Sequence, residues 1–306
     1  MTTTSKRPSS TPRMTVPKTY KLFIGGKFPR SESGRTIEVL DASGQHLANA
    51  SRASRKDTRE AVVAARKAAA GWGAQTAYLR GQILYRIAEM LDARREQFIA
   101  ELVSTGSTRR NAEAEVDEAV ATWVHYAGWS DKYAQVLGAA NPVAAPYFNF
   151  SLPEPMGVIA IVAPQHSGTS LVGLARTMAP ALVAGNTVVV VAHERNPLTA
   201  ISFAEVLASS DVPGGVANLL TGLVIELAPI MAGHMDINAI DLAGCEAEIA
   251  TDCERRAIDN LKRVVRPEGS GTGVGVRPSR SGRSTRSIDA ISRFTELKTV
   301  WHPIGV

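Results

Sequence analysis

The sequence predicts an α/β protein with a Rossmann-like doubly wound parallel sheet, an N-terminal helical and hairpin region and an oligomerisation arm. Residues 155–197 carry most of this prediction, because two short apolar runs at 158–163 and 187–192 flank a stretch with apolar residues at helical spacing. Unbroken apolar runs of this length are typical of strands covered on both faces, and strand–helix–strand units place their strands parallel. The same alternation continues as far as residue 264, as expected for a doubly wound sheet.

The first half of the chain is predicted to form hairpins followed by long helices. Alternating apolar residues predict strands, and apolar residues at helical spacing predict helices with Ser54 or Asp57 as the first N-cap. The predicted bounds are 20–28, 36–40 and 46–50 for strands and 54–70, 79–103 and 112–137 for helices. Residues 141–152 contain prolines and an aromatic patch, and this composition favours an edge strand or arm that pairs with a partner strand.

The second half alternates strands and helices and ends in a strand. The predicted helices are 198–209, 225–233 and 246–264, and the predicted further strands are 216–221, 237–243 and the terminal 295–301. These assignments give four strands in the sheet. The carboxyl ends of such strands are where ligands bind, so the loop at 164–168 and the segment 193–196 are predicted to flank a binding site.

Positive charge is concentrated in two segments of the chain. The formal net charge is +5, yet residues 1–20 carry +4 and residues 261–287 carry +6, so the remainder is −5. An acidic body argues against a nucleic-acid partner. The arginines of the second segment keep open the alternative of a nucleic-acid adaptor, although no aromatic residue alternates with them to stack a base.

Cysteine content and hydropathy indicate a reducing, cytoplasmic location. The two cysteines, Cys245 and Cys253, do not make a disulfide framework, and on one helix they would lie about 12 Å apart, too far to bridge. No apolar run approaches the roughly 20 residues of a membrane span, so no membrane partner is expected. No cluster of residues predicts a metal site.

Composition divides the chain into four parts. Residues 1–19 are predicted to be a disordered basic tail, and residues 20–266 form the predicted α/β domain, including the arm at 141–152. A Gly/Arg/Ser linker follows at 267–289, and residues 290–306 form a C-terminal segment with the terminal strand.

Several landmarks occur together in one order and spacing. They read FIGGKF from residue 23, PMGVIAIVAP from 155, MAPALVAGNTVVV from 178, VPGGVANLLTG from 212, HMDINAIDLAG from 234, DNLKRVV from 259 and FTELKTVW from 294. Together they resemble the aldehyde dehydrogenase superfamily, and most of all its divergent, non-catalytic branch, with the catalytic domain missing. In that family the arm and the last strand pair in a small oligomerisation sheet. The resemblance therefore implies that residues 20–266 are a cofactor-binding domain and that residues 290–306 form a C-terminal oligomerisation strand.

The resemblance implies a nicotinamide cofactor site that is only partly preserved here. Glu194 matches the family's ribose-binding glutamate, but Val191 replaces the accompanying lysine, and Gly244-Cys245 matches the family's Gly-Ser turn only at the glycine. Pro164, Gln165 and His166 stand where the family has Pro-Trp-Asn, so the oxyanion asparagine is lost or moved. The expected cofactor is NAD or NADP, bound weakly or not at all, through the three loop residues, Glu194 and the Gly244-Cys245 turn.

The resemblance also implies that the chemical groups for oxidation are missing. Pro267 takes the place of the general-base glutamate, Glu268 is one position away, and the domain that carries the nucleophilic cysteine is not found between the cofactor domain and the last strand. Aldehyde oxidation by this route needs a thiolate, and neither cysteine here is expected to serve. A lone loop histidine such as His166 is more often neither ligand nor base. No catalytic residue is therefore predicted.

Two functions remain open at this stage besides the nucleic-acid adaptor. The first is a non-catalytic subunit or scaffold, forming a homo-oligomer or a hetero-oligomer with an active aldehyde dehydrogenase. The second is a weak NAD(P)-dependent oxidoreductase acting on aldehydes, favoured by Glu194 and Gly244.

Overall fold

The computed structural model describes residues 18–266 and 286–305. Most of the predicted basic tail and of the predicted Gly/Arg/Ser linker therefore lies outside the described residues. The strands are β1 Thr36–Leu40, β2 His46–Ser51, β3 Ala139–Asn141, β4 Tyr147–Pro155, β5 Val158–Val162, β6 Thr187–Val191, β7 Ala217–Leu220, β8 Ala239–Asp241, β9 Arg263–Val265 and β10 Thr295–Pro303. The helices are α1 Arg55–Gly73, α2 Ala77–Ala93, α3 Arg95–Ser104, α4 Arg109–Trp129, α5 Tyr133–Leu137, α6 Val172–Val183, α7 Leu198–Ala208, α8 Val224–Ala232, α9 Ala247–Ala257 and α10 Ile288–Ser292.

A parallel sheet of five strands in the order β7-β6-β5-β8-β9 forms the centre of the molecule. Every residue of β5 and β6 is buried, because helices cover both faces of the sheet. This arrangement confirms the predicted doubly wound α/β fold. The reversal of strand order beside β5 is the place where such sheets bind ligands.

The N-terminal segment covers the β7 edge of this sheet. Phe23 exchanges two backbone hydrogen bonds with Leu219, at 3.0 and 2.8 Å, although residues 20–28 form isolated bridges rather than the predicted strand. The segment then turns at Gly25 and Gly26. A Cβ on Gly26 would lie 3.0 Å from the Cα of Gly214, and its φ of +79° also favours glycine. The exposed edge of the sheet is thus paired within the chain.

Helices pack on both faces of the sheet, with α1, α8 and α9 on one side and α2, α3, α4, α6 and α7 on the other. Ser54 is the N-cap of α1 and Asp57 completes its capping box, so both predicted capping residues take part. The prediction of one helix over 79–103 was wrong, because the chain breaks at Arg94, which ends α2 and begins α3. Arg80 in α2 is buried and donates through Nε to the carbonyl of Val183, 3.1 Å away, near the C-terminus of α6.

The last part of the sheet differs from the sequence prediction. The predicted helix at 246–264 ends at Ala257, and a short 3₁₀ turn, Ile258–Asn260, follows it. Leu261 then adopts φ +53°, which reverses the chain and allows β9 to join the sheet as a fifth strand. The predicted count of four strands was therefore too low.

The arm is a separate three-stranded antiparallel sheet in the order β10-β4-β3. Thr295 lies opposite Pro155 and Pro303 opposite Tyr147, so β10 pairs with β4 along its whole length. The turn before β10 is anchored in the main core, where Ile291 and Phe294 are buried and the Nδ2 of Asn186 donates to the carbonyl of Phe294. The C-terminal segment is thus part of the domain's packing as well as of the arm.

Candidate functional site

The predicted site residues gather around the carboxyl end of β5. Its continuation, Ala163, hydrogen-bonds through its N–H to the carbonyl of Val191 at the end of β6. Pro164 and Gln165 leave the sheet there, and His166 is exposed at the tip of the loop. The adjoining ends of β5, β6 and β8 therefore form the edge at which the loop, Glu194 and Gly244 come together.

Gln165 links two strand ends through its side-chain amide. Its Nε2 donates to the carbonyl of Ala163 at 2.6 Å, and its Oε1 accepts from the backbone N–H of Glu194 at 2.8 Å. Both ends of the amide are used in these bonds. Gln165 thus holds the loop against the segment after β6, and its N–H groups are turned toward the protein rather than toward a ligand.

Gly244 lies in direct contact with the end of β5. Its N–H donates to the carbonyl of Val162 at 3.0 Å, and a Cβ in its place would lie 1.9 Å from the carbonyl oxygen of Ala163. No side chain fits in that space, since real Cβ atoms do not approach other heavy atoms so closely. The contact between backbones explains why this turn requires glycine.

Glu194 has one carboxylate oxygen engaged within the chain. Its Oε1 accepts a hydrogen bond from the backbone N–H of Val224, the first residue of α8. A carboxylate at a helix N-terminus is stabilised both by the unpaired N–H groups and by the helix dipole. The other oxygen, Oε2, has no hydrogen-bond partner among the described residues.

The thiol of Cys245 is turned away from the crevice into the core beneath it. Both Cys245 and Cys253 are buried in one apolar cluster, with exposed fractions of 8% and 0%. A hydrogen bond with the Cys253 thiol, together with burial, raises the pKa of Cys245. The condition for a separation of about 12 Å, that both cysteines lie on one helix, is not met, because Cys245 precedes α9 and only Cys253 lies in it.

A buried polar network behind the loop was not predicted from the sequence. Oε1 of Glu115, in α4, accepts from the backbone N–H groups of Leu171 and Val172 at 2.7 and 3.3 Å, and so caps α6 from another helix. The Nδ2 of Asn196 donates to Ser170 Oγ at 3.1 Å and to Thr105 Oγ1 at 2.9 Å. The network ties the loop that carries His166 to α3, α4 and the segment after β6.

Burial shifts the pKa of two groups in this network in opposite directions. It raises the pKa of Glu115, whose Oε2 is buried and has no hydrogen-bond partner among the described residues. Burial also lowers the pKa of His193, whose Nδ1 accepts from the backbone N–H of Asn196 at 3.2 Å. His193 is therefore a neutral acceptor that shapes the turn after β6.

Acidic side chains surround the N-terminus of α9. Glu246 is its N-cap residue without a side-chain capping bond, and Glu248 lies in its first turn. Both are exposed on the helix end that follows the Gly244 turn. Among residues 18–266 and 286–305, no group of three His, Cys, Asp or Glu side chains could hold a metal ion. No helix in the same ranges is long and apolar enough to cross a membrane.

The parallel sheet, its switch point beside β5 and the side chains at the strand ends define a Rossmann-like α/β domain of the nucleotide-binding type. The sequence profile described as "Aldehyde dehydrogenase family" matches residues 28–276. The chain therefore belongs to the aldehyde dehydrogenase family, which confirms the resemblance found in its motifs.

Known proteins similar to this chain include several dehydrogenases. Cytosolic 10-formyltetrahydrofolate dehydrogenase of Mus musculus is 32% identical over 261 residues, which are 82% of this chain and 28% of the relative. Retinal dehydrogenase 2 of Gallus gallus is 33% identical over 264 residues, 84% of this chain and 50% of the relative.

Solved structures show the same fold over the same part of the chain. The putative aldehyde dehydrogenase from Burkholderia cenocepacia matches with a TM-score of 0.76 and 29% identity, covering 81% of this chain and 50% of that one. The NAD⁺ complex of the aldehyde dehydrogenase from Bacillus cereus matches with a TM-score of 0.75 and 26% identity, covering 81% and 50%. The chain thus spans about half the length of these structures.

Proposed function

We propose that this chain is a non-catalytic aldehyde dehydrogenase-family subunit that acts as a scaffold in an oligomer. The observation that carries the proposal is the position of its thiols. Cys245 and Cys253 are the two cysteines of the sequence, both are buried, and the Cys245 thiol has a raised pKa. Oxidation through a thiohemiacetal needs an accessible thiolate, and neither cysteine meets this condition.

The groups around the loop support the same proposal. The Nε2 of Gln165 donates to the backbone carbonyls of Ala163 at 2.6 Å and of Ala192 at 3.4 Å, so the amide offers no donor to a developing oxyanion. His166 is exposed, and no carboxylate is hydrogen-bonded to it among the described residues. Pro267 and Glu268, which stand near the position of the family's general base, lie outside the described residues.

The residues at the strand ends fit a dinucleotide poorly. A pyrophosphate is normally held at a helix N-terminus, where N–H groups and the dipole favour negative charge. Here Glu246 and Glu248 place carboxylates at the start of α9, and like charges repel. Glu194 retains one free oxygen for a ribose, and Val191 supplies no charge beside it. We therefore propose that NAD or NADP binds weakly or not at all.

The arm supports the assembly part of the proposal. Phe148, Leu152 and Trp301 are exposed on its strands, although large apolar side chains on a two-faced sheet are usually covered. We propose that the arm contacts a second copy of the chain or an active aldehyde dehydrogenase. The names of the cytosolic relatives support a cytoplasmic location for this assembly.

Sedimentation and turnover measurements test the proposal together. The purified chain is expected to form an oligomer and to show no steady NAD(P)-linked turnover of an aldehyde panel. Truncation after Thr295 is expected to release monomers, and it is preferable to a larger deletion because Ile291 and Phe294 belong to the core. A monomeric wild type, or aldehyde turnover abolished by thiol alkylation, would contradict the proposal.

A weak NAD(P)-dependent oxidoreductase is the second candidate function, and Glu194 and Gly244 favour it. Both residues lie at the ends of the strands where the NAD⁺-bound relative has the same fold. A fluorescence titration with NADH and NADPH separates the two proposals. Saturable binding that Glu194→Ala abolishes would support a retained cofactor site, whereas no saturable signal at millimolar cofactor would exclude it.

A further inference from the structure

The outer edge of β10 is a row of backbone groups without a partner. The N–H of Ile304 donates to the carbonyl of Pro146, so the even-numbered residues of β10 direct their backbone groups toward β4. The odd-numbered residues Leu297, Thr299 and Trp301 therefore direct theirs outward. Within residues 18–266 and 286–305, no strand pairs with this edge.

Two features mark where this open edge begins and ends. At one end, Arg263 Nη1 donates to the carbonyl oxygens of Thr295 at 2.8 Å and of Arg293 at 3.1 Å. At the other end, Pro303 has no N–H to donate. The stretch between them is short and bounded, as expected for one specific pairing rather than for open-ended growth.

From these groups we infer that β10 pairs with β10 of a second copy, antiparallel and centred on Thr299. This inference rests on the proposed assembly and adds its partner and register. A two-fold axis through Thr299 places Leu297 opposite the second copy's Trp301, with hydrogen bonds between outward-facing groups at each of these positions. The two arms then form one continuous six-stranded sheet.

The side chains favour this register on both faces of the sheet. Trp301 contacts Tyr147 edge-on, with ring centroids 5.9 Å apart, and Leu297 is 62% exposed. Placing Leu297 of each copy opposite Trp301 of the other covers both residues. On the other face, Glu296 lies opposite His302 and Lys298 opposite Val300, so no like charges meet.

Neighbouring registers each leave a conflict. A centre at Lys298 sets two ammonium groups opposite each other, which is destabilising. A centre at Val300 or Trp301 places Pro303 opposite Leu297 or Thr299, so an outward carbonyl lacks a donor. A two-fold axis through Leu297 directs the Thr299 N–H of one copy to the Thr295 carbonyl of the other. That carbonyl already accepts a hydrogen bond from the Arg263 guanidinium of its own chain.

Backbone substitution tests the pairing without disturbing β4. Thr299→Pro removes an outward N–H that the chain does not use, and we expect at least about tenfold weaker dimerisation, since the symmetric pair loses two central hydrogen bonds. Thr299→Ala is the matched control, because it removes the hydroxyl bonded to Ser151 and keeps the N–H. It is expected to dimerise like the wild type in sedimentation equilibrium.

Disulfide trapping tests the register directly. Thr299→Cys is expected to cross-link on oxidation, because residues in a hydrogen-bonded pair have Cα atoms about 5.5 Å apart. Leu297→Cys is expected not to, since its own copy would be roughly 13 Å away along the strand. A wild-type dimer that Thr299→Pro leaves intact, or that cross-links through Leu297→Cys instead, would overturn this inference alone. A wild-type monomer at the highest soluble concentration would overturn the proposed assembly as well.

Discussion

The backbone of Gly244 touches the carbonyl oxygen of Ala163, so that the turn after β8 is packed directly on the end of β5. This contact closes the space between the two strand ends and sets the path into α9. Residue 244 must therefore be a glycine, because any Cβ at this position would overlap the carbonyl oxygen of Ala163.

Gly244→Ala is expected to lower the free energy of unfolding by about 1–3 kcal/mol, because the added methyl forces the two strand ends apart. Urea denaturation monitored by circular dichroism measures the change. Gly71→Ala is the matched control, since Gly71 lies in α1 with open space around it and should gain up to about 1 kcal/mol. Equal effects of the two substitutions would contradict the packing described for Gly244.

Replacing Glu115 is expected to loosen the loop before α6. Glu115→Ala removes the acceptor for two backbone N–H groups and should cost about 1–2 kcal/mol, whereas Glu115→Gln keeps an acceptor and should cost less. Hydrogen exchange at residues 164–172 measures the loosening. Unchanged exchange in Glu115→Ala would contradict the capping role.

The same residue gives a pH dependence of known sign. Burial raises the pKa of Glu115 above its ordinary value of 4.5, so the folded protein holds this proton more tightly than the unfolded chain does. The contribution of Glu115 to the free energy of unfolding is present below pH 4.5. It is lost as the pH rises through the pKa that Glu115 has in the folded protein. The difference between wild type and Glu115→Gln in urea unfolding should shrink or reverse over that interval, and a constant difference would contradict it.

Lys262 stabilises the loop that enters β8. Its Nζ donates to the carbonyls of His234 and Ile237 at 2.9 and 2.7 Å and to Asn260 Oδ1 at 3.1 Å. Lys262→Met is expected to cost about 2–3 kcal/mol, because these oxygens lose a charged donor. Lys56→Met is the control at an exposed ion pair, where a change within about 1 kcal/mol is expected.

Burial also lowers the pKa of Lys262 to about 8. The unfolded chain then binds more protons than the folded protein between pH 8 and the ordinary lysine value of 10.5. This group's contribution to stability is therefore lost as the pH falls through 8 and regained as it rises toward 10.5. The free energy of unfolding is measured against pH for the wild type and for Lys262→Met. The difference between the two is expected to grow from pH 8 to 10.5, and a difference that does not change with pH would contradict this prediction.

Both thiols are expected to react with Ellman's reagent only when the protein opens. Cys253 is fully buried, and the hydrogen bond to it together with burial keeps Cys245 protonated. Reaction rates in native buffer and in urea measure the difference, and single Cys→Ser variants assign it. A fast-reacting native thiol would contradict the proposed lack of a nucleophile.

Periodicity and apolar runs sufficed to predict the parallel sheet, because β5 and β6 consist of buried, mostly β-branched residues whose pattern is local. The break at Arg94 and the reversal at Leu261 could not be predicted, since neither position has the glycine or proline that normally marks such a change. The run that forms β9 is three residues long, too short to distinguish from the end of a helix.

The site residues were predicted by position, while their contacts depend on packing that the sequence does not display. The pairing of Gln165 with Glu194 joins residues after two different strands and exists only once the sheet is formed. Glu115 lies in a run that also contains Glu113, Asp117 and Glu118, and nothing local distinguishes the buried acid. Its role depends on where the N-terminus of α6 arrives.

The C-terminal segment reaches the core through Ile291 and Phe294 and is fastened by Asn186 and Arg263. Asn186 and Arg263 precede residues 267–285 in the chain, whereas the C-terminal segment follows them. A single proteolytic cut within that interval would thus yield two bands on a denaturing gel but one particle in solution. We therefore expect these contacts to hold the arm after such a cut, without the covalent link.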